Sequence, residues 1–154
     1  MTSTNHEKMI AFIDRCDDAD KLKRLITNAA RLEDRFLERA AMIKLYAILP
    51  SQEPGSLEHD VWQSIYALEG ALKSERGKTV LLGRTRQKIT RDGEIKTVED
   101  LVQGKTSDGF DMLIDRDMES HTFEAVALRH PDKFSVKTLE AAKTRLAAVP
   151  RDHA

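Results

Sequence analysis

Basic side chains at helical spacing are the residues of this sequence best suited to binding a polyanion. Arg84, Lys88 and Arg91 recur at i, i+4 and i+7, so on an α-helix they form a stripe along one face. Such a stripe can neutralise the phosphates of a nucleic acid and release their counterions. Arg86 and Lys78 lie in the same stretch, and arginine also pairs with guanine edges in duplex DNA. The pattern predicts a nucleic-acid-binding site formed by these five side chains.

The absence of aromatic residues decides which nucleic acid is expected. Proteins that bind single strands usually stack bases on aromatic side chains placed among the basic ones. Residues 67–109 contain no Phe, Tyr or Trp. Duplex DNA is therefore the predicted ligand.

A second possible chemistry is Mg²⁺-dependent hydrolysis at Glu94-Ile-Lys96. In some nucleases a Glu-x-Lys pair supplies a carboxylate that holds the metal ion and a lysine that orients the attacking water. That site also needs an aspartate at the end of a strand, whereas this region has a helical pattern. We therefore predict no catalytic residues, and the nuclease remains an alternative centred on Glu94 and Lys96.

Histidines provide two possible metal-binding groups. His121-x-x-Glu124 with His130 places ligand-type side chains near one helix end, but the complete His-Glu-x-x-His spacing of a zinc protease is missing. His59 lies between two acidic residues. The prediction is that these histidines are surface or capping residues, with no bound metal and no cofactor.

Helix-forming signals occur along the whole sequence. Apolar residues recur at helical spacing, as in Val61, Ile65 and Leu68 after the predicted N-cap Ser56. The clearest loop covers residues 50–56. We predict an all-α fold of about seven to eight helices, an N-terminal helical bundle followed by shorter C-terminal helices. Subdomains 1–76 and 77–154 are expected to form one compact unit, because each alone buries too little surface.

The segment 87–98 has two interpretations. In the first, a basic helix over 78–91 is followed by Asp92-Gly93 and by a second helix that Thr97 caps. In the second, Asp92-Gly93 is the two-residue turn of a β-hairpin. Periodicity does not decide between them over so short a segment.

The composition excludes several protein classes. Of the 154 residues, 40% are hydrophobic and 33% are charged, which argues against a disordered chain. No apolar run approaches the ~18 residues of a membrane helix, and the single Cys16 forms no intramolecular disulfide and is expected to be buried. The N-terminus lacks the apolar stretch of a secretory signal, so we expect a cytoplasmic protein without membrane contact.

The formal net charge of −1 conceals a segregation of charge. Residues 73–96 carry eight basic and three acidic side chains, a net charge of +5. Residues 97–124 carry two basic and eight acidic side chains, a net charge of −6. The sequence leaves open whether the basic segment is exposed or paired with the acidic one.

These patterns predict a small, non-enzymatic protein that binds duplex DNA, or regulates a DNA-associated process, through residues 73–96. The alternative from another class is a helical protein–protein interaction module, such as an adaptor, antitoxin or inhibitor, that uses the same charge to bind an acidic partner.

Overall fold

The described chain is helical. The computed structural model describes the backbone of residues 2–150 and the side chains of residues 6–150; within this range it contains nine α-helices, two short 3-10 helices and no strand. The all-α prediction is confirmed, and the number of helices is close to the number expected. The α-helices are α1 (Thr2–Arg15), α2 (Ala19–Arg31), α3 (Arg35–Ile48), α4 (Leu57–Arg76), α5 (Gly83–Asp92), α6 (Glu94–Gln103), α7 (Asp108–Asp115), α8 (Phe123–Arg129) and α9 (Val136–Ala147). The 3-10 helices are Glu119–His121 and Pro131–Lys133.

The chain divides between Ser51 and Gln52 into two units. The first unit contains α1 to α3 and the second contains α4 to α9. The boundary predicted at residue 76 coincides with the end of α4, a helix of 20 residues that belongs to the second unit.

Helix α3 is the centre of the first unit, because both α1 and α2 pack against it. Asp18 and Asp34 are the N-caps of α2 and α3, and their carboxylates accept backbone N–H groups of the first turn. Cys16 is buried, as its apolar spacing predicts. The other buried side chains of this core include Ile13, Leu22, Ala29, Ala41, Leu45 and Tyr46.

Helix α4 organises the second unit. Its N-cap is Ser56, whose Oγ accepts the His59 N–H at 3.1 Å, and it ends at Gly77 with a left-handed φ of 73°. Val61 and Ile65 are completely buried, and α6, α7 and α8 pack against this helix. Helix α9 packs on α6 and α8 and closes the core. Among residues 2–150, none of the helices combines the length and the apolar character needed to cross a bilayer.

The two helices after α4 begin at positions that differ from the predicted ones. Residues 78–82 are not helical, and α5 begins at Gly83. Helix α6 begins immediately after Gly93, so Thr97 is not its cap; the Thr97 hydroxyl donates a hydrogen bond to the Gly93 carbonyl at 2.8 Å. The β-hairpin alternative for 87–98 is wrong, because these residues form two helices separated by Gly93 alone. The φ of 89° at Gly93 makes this direct reversal possible.

Candidate nucleic-acid interface

Glu69 on α4 holds α5 in place. This carboxylate is only 8% exposed, and it accepts the Leu82 N–H and the Arg86 Nε–H on Oε2, each at 2.8 Å. Its Oε1 accepts the Arg86 Nη2–H, also at 2.8 Å, which completes a bidentate pair. The contact at Leu82 ties the chain to α4 just before Gly83, where α5 begins.

Arg86 faces α4. Its guanidinium lies 5.2 Å from the ring centroid of Trp62 and 5.7 Å from that of Tyr66, within the range of cation–π attraction. Hydrogen bonding to Glu69 raises the pKa of Arg86 above its ordinary value. The Arg86 side chain therefore joins α5 to α4. It lies on a different side of α5 from the predicted basic stripe.

Lys88 lies between two carboxylates. Its Nζ is 2.6 Å from Asp100 Oδ2 and 3.1 Å from Asp92 Oδ2. Hydrogen bonds to Asp100 and Asp92 raise the pKa of Lys88. The same network lowers the pKa of Asp92, through Arg91 and Lys88, and that of Asp100, through Lys88 and Lys96. The charge of Lys88 is thus already offset.

Asp100 is the point at which the acidic segment meets the basic one. Besides Lys88, it accepts a hydrogen bond from Lys96 Nζ at 2.8 Å. A further contact joins Arg116 of the acidic segment to Glu75 of the basic segment at 3.1 Å. In this pair the acidic segment provides the cation and the basic segment provides the carboxylate. The two segments are therefore paired locally and do not neutralise each other along their length.

The remaining cations of residues 73–91 are exposed around the junction of α4 and α5. Within the described part of the chain, no ion pair involves any of the four that lie between residues 73 and 84. The fifth, Arg91, contacts the neighbouring Asp92 but is 68% exposed. We call these side chains the basic rim: Lys73, Arg76, Lys78, Arg84 and Arg91.

The basic rim follows the end of α4, the link to α5 and one face of α5. Lys73 lies one turn after Glu69 on α4, and Glu69 binds the backbone of Leu82 at the start of α5. Arg84 and Arg91 share a face of α5 and lie two turns apart. Helix α5 begins without a capping side chain of its own, and the Glu69 carboxylate accepts the N–H of its N-cap residue, Leu82.

The residues of the nuclease alternative do not meet. Glu94 Oε2 accepts the indole N–H of Trp62 at 3.2 Å, while Lys96 is paired with Asp100. Glu94 and Lys96 both belong to α6, where residues two positions apart point to different sides. The described chain also has no strand that would carry the additional aspartate.

The histidines considered as metal ligands have separate partners. The prediction that they lie on the surface or cap helices is wrong for His59 and His121, which are buried. His121 is buried, with Nδ1 3.3 Å from Ser120 Oγ and Nε2 3.4 Å from Gln63 Nε2. Burial, with a contribution from Arg129 and opposed by Asp60, lowers the pKa of His121 from 6.5 to about 4. His130 instead contacts Asp60, with Nε2 2.7 Å from Oδ2. Among the side chains of residues 6–150 no three His, Cys, Asp or Glu residues are arranged to hold a metal ion.

Two important ion pairs were absent from the sequence-based prediction, those of Glu69 and Glu124. Glu69 falls within the apolar stripe of α4, between Ile65 and Leu72, and a carboxylate at such a position requires a cationic partner. Glu124 is buried at the start of α8 and pairs with Arg145 of α9 at 2.6 Å. The position of each carboxylate at a buried point of its helix is the signal that could have been detected. The partners, Arg86 and Arg145, lie 17 and 21 residues away along the chain and could not have been identified.

Comparison of the chain with protein-family models, with curated proteins and with solved structures finds no match. The arrangement of its own side chains is therefore the basis for assigning a function.

Proposed function

We propose that the second unit binds duplex DNA through the basic rim. The observation that supports this most is the set of exposed cations at the α4–α5 junction, four of which pair with no described carboxylate. Unpaired exposed cations are free to replace the counterions of a phosphate backbone, whereas cations already bound to carboxylates are not. The interaction is electrostatic docking, with no reaction catalysed.

The predicted site residues contribute unequally to this proposal. The predicted phosphate contacts that we retain are Lys78, Arg84 and Arg91. Lys88 contributes less, because Asp92 and Asp100 both lie within hydrogen-bonding distance of its Nζ. Arg86 serves to position α5, since two of its donors bind Glu69. The DNA-contacting surface is thus narrower than residues 73–96 and lies towards the α4–α5 link.

Fluorescence anisotropy with a short labelled DNA duplex at low salt tests the proposal. The double variant Lys78→Gln/Arg84→Gln is expected to bind at least roughly tenfold more weakly than the unaltered chain, because two phosphate-binding cations are removed. The matched control is Lys23→Gln/Arg24→Gln, which makes the same change of charge at two exposed positions of α2 in the first unit. Equal losses in both variants would show that only overall charge matters and would overturn the assignment of the rim.

Lys88→Gln provides an internal comparison within α5. It removes a cation from the stripe that includes Arg84, but that cation already contacts two carboxylates. We expect a smaller loss of DNA affinity for Lys88→Gln than for Arg84→Gln in the same assay. The reverse order would mean that the carboxylates do not limit Lys88.

An acidic protein surface is the second candidate ligand, and Leu81 is the observation that favours it. This leucine is 61% exposed and lies between Lys78 and Arg84. An exposed apolar side chain between two cations of the chain suits a partner helix that carries acidic residues around an apolar one. Under this alternative Leu81→Ser abolishes binding of an acidic partner helix, whereas under the DNA proposal it changes duplex affinity by less than about twofold.

A further inference from the structure

The second unit contains a largely apolar cavity of about 260 Å³. Side chains of four helices form its apolar wall. The wall is built by Leu68, Leu72, Leu101, Phe110, Leu113 and Phe123. An apolar cavity of about 150 Å³ is known to hold a benzene molecule, so this one has room for an aromatic ring with a short chain.

One polar group of the cavity has unused hydrogen-bonding capacity. Glu124 lines the cavity and is 95% buried, with a relative exposure of 5%. Its Oε2 accepts the hydrogen bond from Arg145 Nη1 at 2.6 Å. Its Oε1 accepts no hydrogen bond from the residues that the structure describes. A carboxylate oxygen in an apolar surrounding is a strong acceptor for a ligand donor.

Arg145 determines what charge the ligand should have. Its guanidinium is fixed by Glu124 and by the backbone carbonyls of Leu101 and Gly104. Two acidic side chains, Glu124 and Asp108, and two basic ones, Arg145 and Lys105, line the cavity, so its formal charge is balanced. A cationic ligand would therefore bring an uncompensated charge next to the apolar wall. A neutral hydroxyl or amide donor can bind Oε1 without that cost.

We propose that this cavity binds a small, neutral, largely apolar molecule that donates one hydrogen bond to Glu124 Oε1. The wall contacts the apolar part of the ligand, and the Glu124–Arg145 pair orients its polar end. No member of the basic rim lines the cavity, although Leu72 and Thr85 adjoin the rim residues Lys73 and Arg84 in the chain. The ligand site does not depend on the proposed DNA binding.

The experiment is an NMR titration of the isotope-labelled full chain with 3-phenylpropan-1-ol, which combines a ring, a short chain and one hydroxyl. We expect saturable amide shifts concentrated at residues 107–113 and 122–124, with ligand contacts to the methyl groups of Leu68 and Leu113. Propylbenzene, which lacks the hydroxyl, is expected to bind about tenfold more weakly. Equal affinity of the two compounds would overturn the role of Glu124, and shifts scattered outside the cavity would overturn the site.

A cavity-filling variant provides the matched test. Leu82 lines the cavity, whereas Leu139 is a partly buried leucine that packs against the same core outside it. Leu82→Phe is expected to weaken 3-phenylpropan-1-ol binding at least about tenfold, and Leu139→Phe to leave it within about twofold. Equal binding by both folded variants would contradict the proposal. If Leu82→Phe does not fold, the affinities of the unaltered chain for 3-phenylpropan-1-ol and propylbenzene still test the proposal.

Discussion

Glu69 shows how one side chain connects the sequence to the position of a whole helix. It is an acidic residue within an apolar stripe, and it binds both the Leu82 N–H and the Arg86 guanidinium. Removing one partner of a buried ion pair leaves an uncompensated charge, which costs more than the intact pair contributes. Glu69 is therefore central to the placement of α5.

Substitution of Glu69 tests this role. Glu69→Ala is expected to lower the free energy of unfolding by about 2–3 kcal/mol, somewhat less than for a fully buried pair because Arg86 is 31% exposed. Urea unfolding followed by circular dichroism measures this change. Glu75→Ala is the control, since its contact with Arg116 is exposed and should cost less than about 1 kcal/mol. Similar losses in both variants would contradict the role assigned to Glu69.

His121 makes the stability of the chain dependent on pH. Its folded-state pKa lies near 4, below its ordinary value of 6.5, because the ring is buried. The unfolded chain therefore binds a proton that the folded chain does not, so the stabilising effect of the neutral ring is complete above pH 6.5 and is lost as the pH falls towards 4.

The expected loss over this pH range is up to about 3 kcal/mol of unfolding free energy. Urea unfolding at a series of pH values measures it, and His121→Gln should remove most of the dependence. The substitution also alters the contacts with Ser120 and Gln63, which shifts the absolute stability but not its slope with pH. An unchanged slope in His121→Gln would assign the pH dependence to another group.

At the scale of the helices, the two glycines that flank the α5 region perform different tasks. Gly77 ends α4 with φ 73° and ψ 8°, a left-handed conformation that other residues adopt at moderate cost. Gly93 separates α5 and α6 with φ 89° and ψ 168°, a region that is almost exclusive to glycine. An added Cβ would meet nothing within 4 Å at either position, so any cost arises from the backbone alone.

Alanine substitutions should therefore have unequal effects. Gly93→Ala is expected to lower the free energy of unfolding by about 2–3 kcal/mol, and Gly77→Ala by about 1 kcal/mol. Thermal unfolding of the two variants under the same conditions measures the order. A larger loss for Gly77→Ala would mean that the reversal between α5 and α6 does not require the glycine conformation.

The helices differ in how far their sequence predicts them. Helices α4, α7 and α9 begin after Ser56, Ser107 and Ser135, where local capping chemistry is sufficient. Helix α5 begins at Gly83 and not at Lys78, and the link before it is bound by Glu69, 13 residues before Leu82. Local patterns contain no information about such a partner.

The candidate site shows the same limit. The spacing of Arg84, Lys88 and Arg91 predicts their shared face, and Arg86 lies about 200° away from Arg84 on the same helix, as the period requires. The sequence does not reveal that Asp92 and Asp100 both contact Lys88, because the second contact depends on the reversal at Gly93. The exposure of these cations and their pairing with carboxylates are therefore visible only in the three-dimensional arrangement.

At the scale of the whole molecule, the net charge of −1 is a poor guide to what the chain binds. The acidic segment 97–124 meets the basic segment mainly through Asp100, which leaves the basic rim exposed on the second unit. A polyanion that approaches this rim meets a local excess of positive charge, and added salt should weaken its binding steeply.

The salt dependence of duplex binding tests the proposed function most directly. The logarithm of the affinity of the unaltered chain should fall linearly with the logarithm of the salt concentration. The slope for Lys78→Gln/Arg84→Gln should be shallower by about two, since each phosphate-binding cation accounts for about one unit of slope. Parallel lines for the two proteins, or no binding by the unaltered chain at low salt, would contradict the assignment of the basic rim as a DNA-binding surface.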